Sequence, residues 1–181
     1  MTAKQNALIQ KLFDTLPKDE KPAFEAVVTF LTDLGYVPQK QKVQGFDLAF
    51  KHQVHNRIIA KIGVQKQNGW LRIKFFACKH VPEKYIQALH DEAVANENRY
   101  SMPVPPPDRK PMPAGVIMKT CTLRCPTCSG GGMRYFYTFP DGREIFRCGA
   151  YPVPLANVQT TDLDELNRLL LEQHHYFLSL T

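Results

Sequence analysis

Apolar residues recur on a helical period at both ends of the chain and on a period of two between them. Leu8, Ile9, Leu12, Phe13 and Leu16 stand at i, i+1, i+4, i+5 and i+8, which makes one stripe. "PKDEKP" interrupts it. Phe24, Val27, Val28, Leu31 and Leu34 form a second stripe, with Pro22 near its start and Gly35 at its end, where helix termini favour these residues. The pattern predicts two amphipathic helices.

From Tyr36 the period changes to two. Phe46, Leu48 and Phe50 alternate with Asp47, Ala49 and Lys51. Ile58, Ala60, Ile62 and Val64 alternate with Arg57, Ile59 and Lys61. Leu71, Ile73, Phe75 and Ala77 alternate with Arg72, Lys74, Phe76 and Cys78. Short turns around "HQVHN" and "QKQNG" join them, and Asn68–Gly69 reads as a hairpin signal. An antiparallel meander with one core face and one basic face follows. "VPEKYIQALHDEAVANEN" then reads as a helix, with Pro82 in its first turn, Glu83 near its positive end, and Tyr85, Ile86, Leu89 and Ala93 turned inward.

The resulting order, α-α-β-β-β-α, predicts an α+β two-layer sandwich over residues 1–100. "SMPVPPPDRKPMPAG" holds six prolines, so residues 101–114 read as an extended, semi-rigid linker. Residues 115–181 then form a separate module. "MRYFYTFPDGREIFRC" reads as a hairpin around Asp141–Gly142. "TTDLDELNRLLLEQHHYFL" reads as an amphipathic helix capped by Thr161, with Leu163, Leu166, Leu169 and Leu170 inside.

Charge sharpens this division. Residues 36–80 carry Lys40, Lys42, Lys51, Arg57, Lys61, Lys66, Arg72, Lys74 and Lys79 against one acid, Asp47. The tail from Pro152 carries Arg168 alone against Asp162, Asp164, Glu165 and Glu172. The formal net charge of +6 is therefore concentrated in the meander and the cysteine segment, a field that attracts anions and nucleic acid among them. No apolar run approaches the roughly 18 residues that span a bilayer, so no membrane partner is expected. The first residues lack a signal-peptide core, and a cytoplasmic setting is expected. Five cysteines in a reducing compartment point to metal rather than disulfides.

Four of those cysteines are Cys121, Cys125, Cys128 and Cys148. The spacing C-x3-C-x2-C is one that radical enzymes use for an iron–sulfur cluster. Their chemistry also needs an enclosing barrel, and residues 129–181 are too few to build one. Cys125-Pro-Thr-Cys128-Ser-Gly-Gly-Gly has the form of a zinc knuckle, in which two thiolates reach one ion over a tight glycine-permitted turn. The hairpin then returns to Cys148-Gly149. This segment resembles a zinc ribbon whose second knuckle is degenerate, because Tyr151 stands where a fourth cysteine is usual. The resemblance implies a structural Zn2+ held by Cys121, Cys125, Cys128 and Cys148, with His80, His174 or His175 as substitutes for Cys121. Iron in a four-thiolate site is the alternative metal. Over about seventy residues the first domain also resembles the small α/β domains of the uncharacterised YdhG-like group, in "RIIAKIGVQKQNGWLRIKFFACKHVPEKYIQAL".

Other residues are weighed against plainer readings. Lys51, Lys61, Arg72 and Lys74, with Phe76 among them, form a face suited to phosphates and a stacked base; a solvated lysine face is the plain alternative. The cysteine module adds Lys119, Arg124, Arg134, Arg143 and Arg147 as candidates for contact with nucleic acid or protein, with structural packing as the plain alternative. His52 and His55 flank a turn and His174 and His175 adjoin on a helix, so each reads as a separate surface residue. Asp47 reads as a cross-strand ion-pair partner. The sequence contains no G-x-S-x-G, phosphate loop or H-E-x-x-H. The expectation is a non-enzymatic zinc-containing protein that binds nucleic acid. The alternatives are an adaptor docking a protein partner through the ribbon and terminal helix, and an enzyme acting on an anionic small molecule with the basic sheet face as its pocket floor, which a pocket containing Asp47 with a raised pKa would support.

Overall fold

A computed structural model describes residues 1–42, 45–65, 67–75, 81–95, 115–120, 133–138, 144–148 and 152–180. They fall into two compact units, Met1–Lys74 with Pro154–Thr181, and Phe75–Val153. The closing helix, grouped by the sequence with the cysteine module, belongs to the first of these.

The first unit begins with helix α1 (Ala3–Thr15) and helix α2 (Lys21–Asp33). Thr2 and Gln5 close a capping box on α1. Pro22 stands in the first turn of α2, where its missing N–H costs nothing. Gly35 follows α2 with φ +85°, the left-handed conformation that ends a helix without a Cβ clash. Strands β1 (Tyr36–Lys40), β2 (Phe46–His52), β3 (Ile58–Gln65) and β4 (Asn68–Ile73) then pair in sequence as an antiparallel meander. After the second unit the chain returns as β8 (Val153–Ala156), a short 3-10 turn (Thr160–Asp162) and helix α4 (Leu163–Leu178). The sheet order is β1-β2-β3-β4-β8. The fold class is α+β as predicted, with four strands in the meander rather than three and a fifth at its edge.

Prolines explain why the added strands escaped the pattern. Pro38 lies in β1 and Pro154 in β8, and both strands are at sheet edges, where a missing donor is tolerated. One sheet face carries Leu48, Phe50, Ala60, Ile62, Leu71 and Ile73, all buried. Against it pack Leu12, Phe24, Val27, Leu31, Leu166, Leu169 and Phe177 from the three helices, making the core. Covering one such side chain contributes roughly 1.5–3 kcal/mol.

The opposite face is not the simple basic surface that alternation predicts. Ala49 and Gly63 lie on it and are buried, and Trp70 is only 7% exposed. Asn68–Gly69 is likewise not the turn itself. Gln65 pairs with Asn68, and Gln67, in the connection, takes the left-handed conformation at φ 65°. Gly69 is required by packing instead, since a Cβ there meets Glu20, Phe24 and Leu16.

In the second unit, helix α3 (Glu83–Ala95) starts on Pro82, whose carbonyl accepts from the amides of Tyr85 and Ile86. The Phe75 and Tyr85 rings meet edge to face at 5.3 Å. Strands β5 (Gly115–Thr120), β6 (Met133–Thr138) and β7 (Glu144–Cys148) form a separate three-stranded antiparallel sheet in that order.

Candidate functional site

The β2–β3–β4 register decides what the outer sheet face presents. Asp47, Gly63 and Trp70 form one row, and Ala49, Lys61 and Arg72 the next. Lys61 and Arg72 therefore stand directly opposite each other. A bulge between Phe50 and Lys51 then sets Lys51 against Ile58. Lys74 continues past β4, its amide donating to the Ile59 carbonyl at 3.1 Å. Lys51, Lys61, Arg72 and Lys74 are all half-buried and share this face.

Gly63 allows Asp47 and Trp70 to close over it, because a Cβ there would collide with both side chains. The Arg72 guanidinium lies over the Trp70 ring at 4.3 Å from its centroid. Burial pushes the Asp47 carboxyl above its ordinary range, and Arg72 and then Lys61 partly offset this. A cleft of about 300 Å³ opens beside this corner, lined by Gln65, Asn68, Gly69, Trp70, Arg72, Pro154 and Ala156. Asp47 is not among the residues lining this cleft.

Of the predicted metal ligands, Cys121, Cys125 and Cys128 lie outside the described residues, as does His80. Cys148 ends β7 and stands in one row with Arg134 and Lys119, while Thr120 stands opposite Met133. Arg147 occupies the adjoining row, opposite Tyr135.

No family model, curated protein or solved structure matches the chain. One group of side chains contradicts the sequence reading.

His52, His55 and His174, expected as separate surface residues, come together. Each offers a ring nitrogen, and the three nitrogens lie within 4.8 Å of one another. The β1–β2 register pairs Tyr36 with His52. The β2–β3 turn brings His55 back over His52, the rings stacked at 4.0 Å and 3°. Helix α4 delivers His174 from the other side, its ring 5.5 Å from that of His52. His52 and His174 are buried, at 9% and 8% exposure.

Hydrogen bonds set the tautomers. The Arg57 amide donates to His55 Nδ1 at 3.2 Å. The proton of a neutral His55 is then on Nε2, which faces the Tyr36 hydroxyl at 3.4 Å. Tyr36 Oη in turn stands 3.2 Å from His174 Nδ1 and donates to it. His52 Nδ1 accepts from the Val54 amide at 3.2 Å. Burial, aided by His52, His174 and Arg57, pushes the His55 imidazole down to about 4. Burial, with His52 and His175, lowers His174 as well. Both are neutral near pH 7 and keep lone pairs. Burial also raises the Tyr36 phenol.

Proposed function

We propose that the protein binds nucleic acid, laying a phosphate backbone across the outer face of the five-stranded sheet. The observation that carries this reading is the direct cross-strand pairing of Lys61 with Arg72, with Lys51 and Lys74 on the same face. Cations gathered on one sheet face present a concentrated positive field to a polyanion. The cleft beside Trp70 and Arg72 has amides from Gln65 and Asn68 and suits an unstacked base or sugar.

The same reading assigns one structural zinc to Cys121, Cys125, Cys128 and Cys148. Support comes from the ladder of the second unit. Lys119, Arg134 and Cys148 share a row, and Cys121 follows Thr120 directly, so β5 leads into the cysteine segment at the end of the sheet where β7 stops. Two strand spacings, about 10 Å, separate those strands, and segment 121–132 joins this end of the sheet at both of its own ends. Such an ion supplies folding energy to a small sheet.

Fluorescence anisotropy with labelled single- and double-stranded oligonucleotides at 50 mM and 200 mM salt tests the first claim. Retention that falls steeply with salt, and that drops at least tenfold in a Lys61→Glu/Arg72→Glu double variant, is expected. No retention at low salt, or unchanged affinity in that variant, overturns it. Elemental analysis tests the second: a zinc that the wild type holds and that is lost in Cys148→Ser.

A further inference from the structure

We propose that His52, His55 and His174 take up one late first-row divalent ion, with the Tyr36 hydroxyl beside it, as a site separate from the cysteines. Among the described residues this is the one group of three metal-ligating side chains that converges. The donors come from the end of β2, the turn that follows it, and helix α4, which is distant from both in sequence. An ion held by all three joins the last helix to the sheet.

The donor set defines the ion class. Imidazole nitrogens with a phenol oxygen suit Zn2+, Cu2+, Ni2+ or Co2+ rather than Mg2+ or Ca2+, which prefer carboxylate and carbonyl oxygens. Two imidazoles ligating at about 2.05 Å in a tetrahedral site sit about 3.4 Å apart. The observed limit of 4.8 Å is thus about 1.4 Å too wide, and side-chain rotation must close it.

His55 is the ring that must turn. Parallel rings cannot aim in-plane lone pairs at one point, so the His52–His55 stack has to open. His55 lies in a turn whose exit residue, Asn56, has φ 58°, and its ring is half-buried rather than locked in the core. Turning it exchanges the Arg57 amide contact and the stack for a metal bond. Tyr36 Oη stands 3.4 Å from His55 Nε2 and 3.2 Å from His174 Nδ1, which sets the hydroxyl beside the nitrogens that would hold the ion. His174 Nδ1 already carries a lone pair, and its low proton affinity spares the ion competition near pH 7. Gly35 keeps the backbone clear of His52, since a Cβ there would stand 3.0 Å from Nε2.

Cobalt distinguishes this site from the cysteines. Full-length protein is stripped with chelator and titrated with Co2+ under reducing conditions, and absorption and native mass are recorded. Thiolate ligation gives an intense near-ultraviolet band; nitrogen and oxygen ligation gives only weak visible bands. Co2+ in excess of the amount that saturates the thiolate band is expected to bind, and this additional ion is retained in Cys121→Ser and weakened at least 100-fold in His55→Ala. Copper loading provides a second readout, with nitrogen hyperfine structure from imidazoles in its electron spin resonance spectrum, lost in the same variant. His55→Ala alters a turn and leaves the core intact, and circular dichroism checks its fold. Metal content and spectra that His55→Ala leaves unchanged, or the absence of any non-thiolate ion at millimolar Co2+, overturn the proposal.

Discussion

The buried carboxylate of Glu20 accepts a hydrogen bond from the Gly69 amide at 2.6 Å, joining the start of α2 to the β3–β4 hairpin. Glu20 makes no cap bond to its own helix. Its side chain instead satisfies a strand amide that β3 leaves unpaired at the hairpin. Glu20→Ala orphans that N–H in a buried place and is expected to cost about 1–3 kcal/mol. Glu20→Gln keeps an acceptor oxygen and should cost less than half as much. Urea unfolding followed by circular dichroism at constant slope measures both, and equal midpoints for the two variants sink the assignment.

Gly63 is the position where the outer face tolerates no side chain. Gly63→Ala drives a methyl group into the Asp47 carboxylate and the Trp70 indole. Overpacking of this kind costs about 1–3 kcal/mol. Trp70 is the sole tryptophan, so its emission reports the displacement directly. A red shift with loss of stability is the expected outcome, and unchanged emission contradicts the crossing of Asp47 and Trp70 over Gly63.

Local periods made much of this fold legible, and tertiary pairing made the rest invisible. The stripes from Leu8 and Phe24 give α1 and α2 because side chains three and four apart share a helix face whatever lies elsewhere. The alternation of Phe46–Phe50 with Ile58–Val64 gives β2 and β3 for the matching reason. Edge strands β1 and β8 are short, proline-bearing runs with no period of their own. Asn68–Gly69 resembled turn chemistry, yet its glycine answers to Glu20, Phe24 and Leu16, residues distant in the chain. The histidine group shows the limit best. His52-x2-His55 was a visible local hint, but Tyr36 and His174 are 138 residues apart, and no local pattern encodes the register and helix docking that join them.

Among the residues of β2, β3 and β4, Asp47 is the one acid, and burial disfavours its ionised form. A carboxyl whose folded pKa is raised contributes stability below its unfolded value, near 3.9, and loses it as pH rises through the folded value. At pH 7 the ionised group is therefore a burden that Arg72 and Lys61 only partly offset. Asp47→Asn should leave stability equal or higher at pH 7. It should also tighten oligonucleotide binding several-fold at low salt, by removing a repelling charge. Weaker binding in Asp47→Asn contradicts the proposed use of the outer sheet face.

The histidine group gives the metal-free protein an acid sensitivity of defined sign. Among the described residues, Tyr36, Arg57 and His175 are titratable groups set against it, and none of these three is a carboxylate. His55 is held down to about 4, against an ordinary value of 6.5. Between those values the unfolded chain binds a proton that the folded chain refuses, so acid favours unfolding. Stability from the neutral ring is complete above about 6.5, declines as pH falls, and is fully lost below about 4. His174 adds a loss of the same sign. Allowing for the partial exposure of His55, its share is on the order of 2 kcal/mol. Carboxylates elsewhere also titrate below pH 5, so the informative quantity is the difference between wild type and His55→Gln. The variant should be less stable than, or equal to, wild type at pH 7 and should lose less stability on going to pH 4.5, with chelator present throughout. Parallel stability–pH curves for the two proteins contradict a proton-refusing His55.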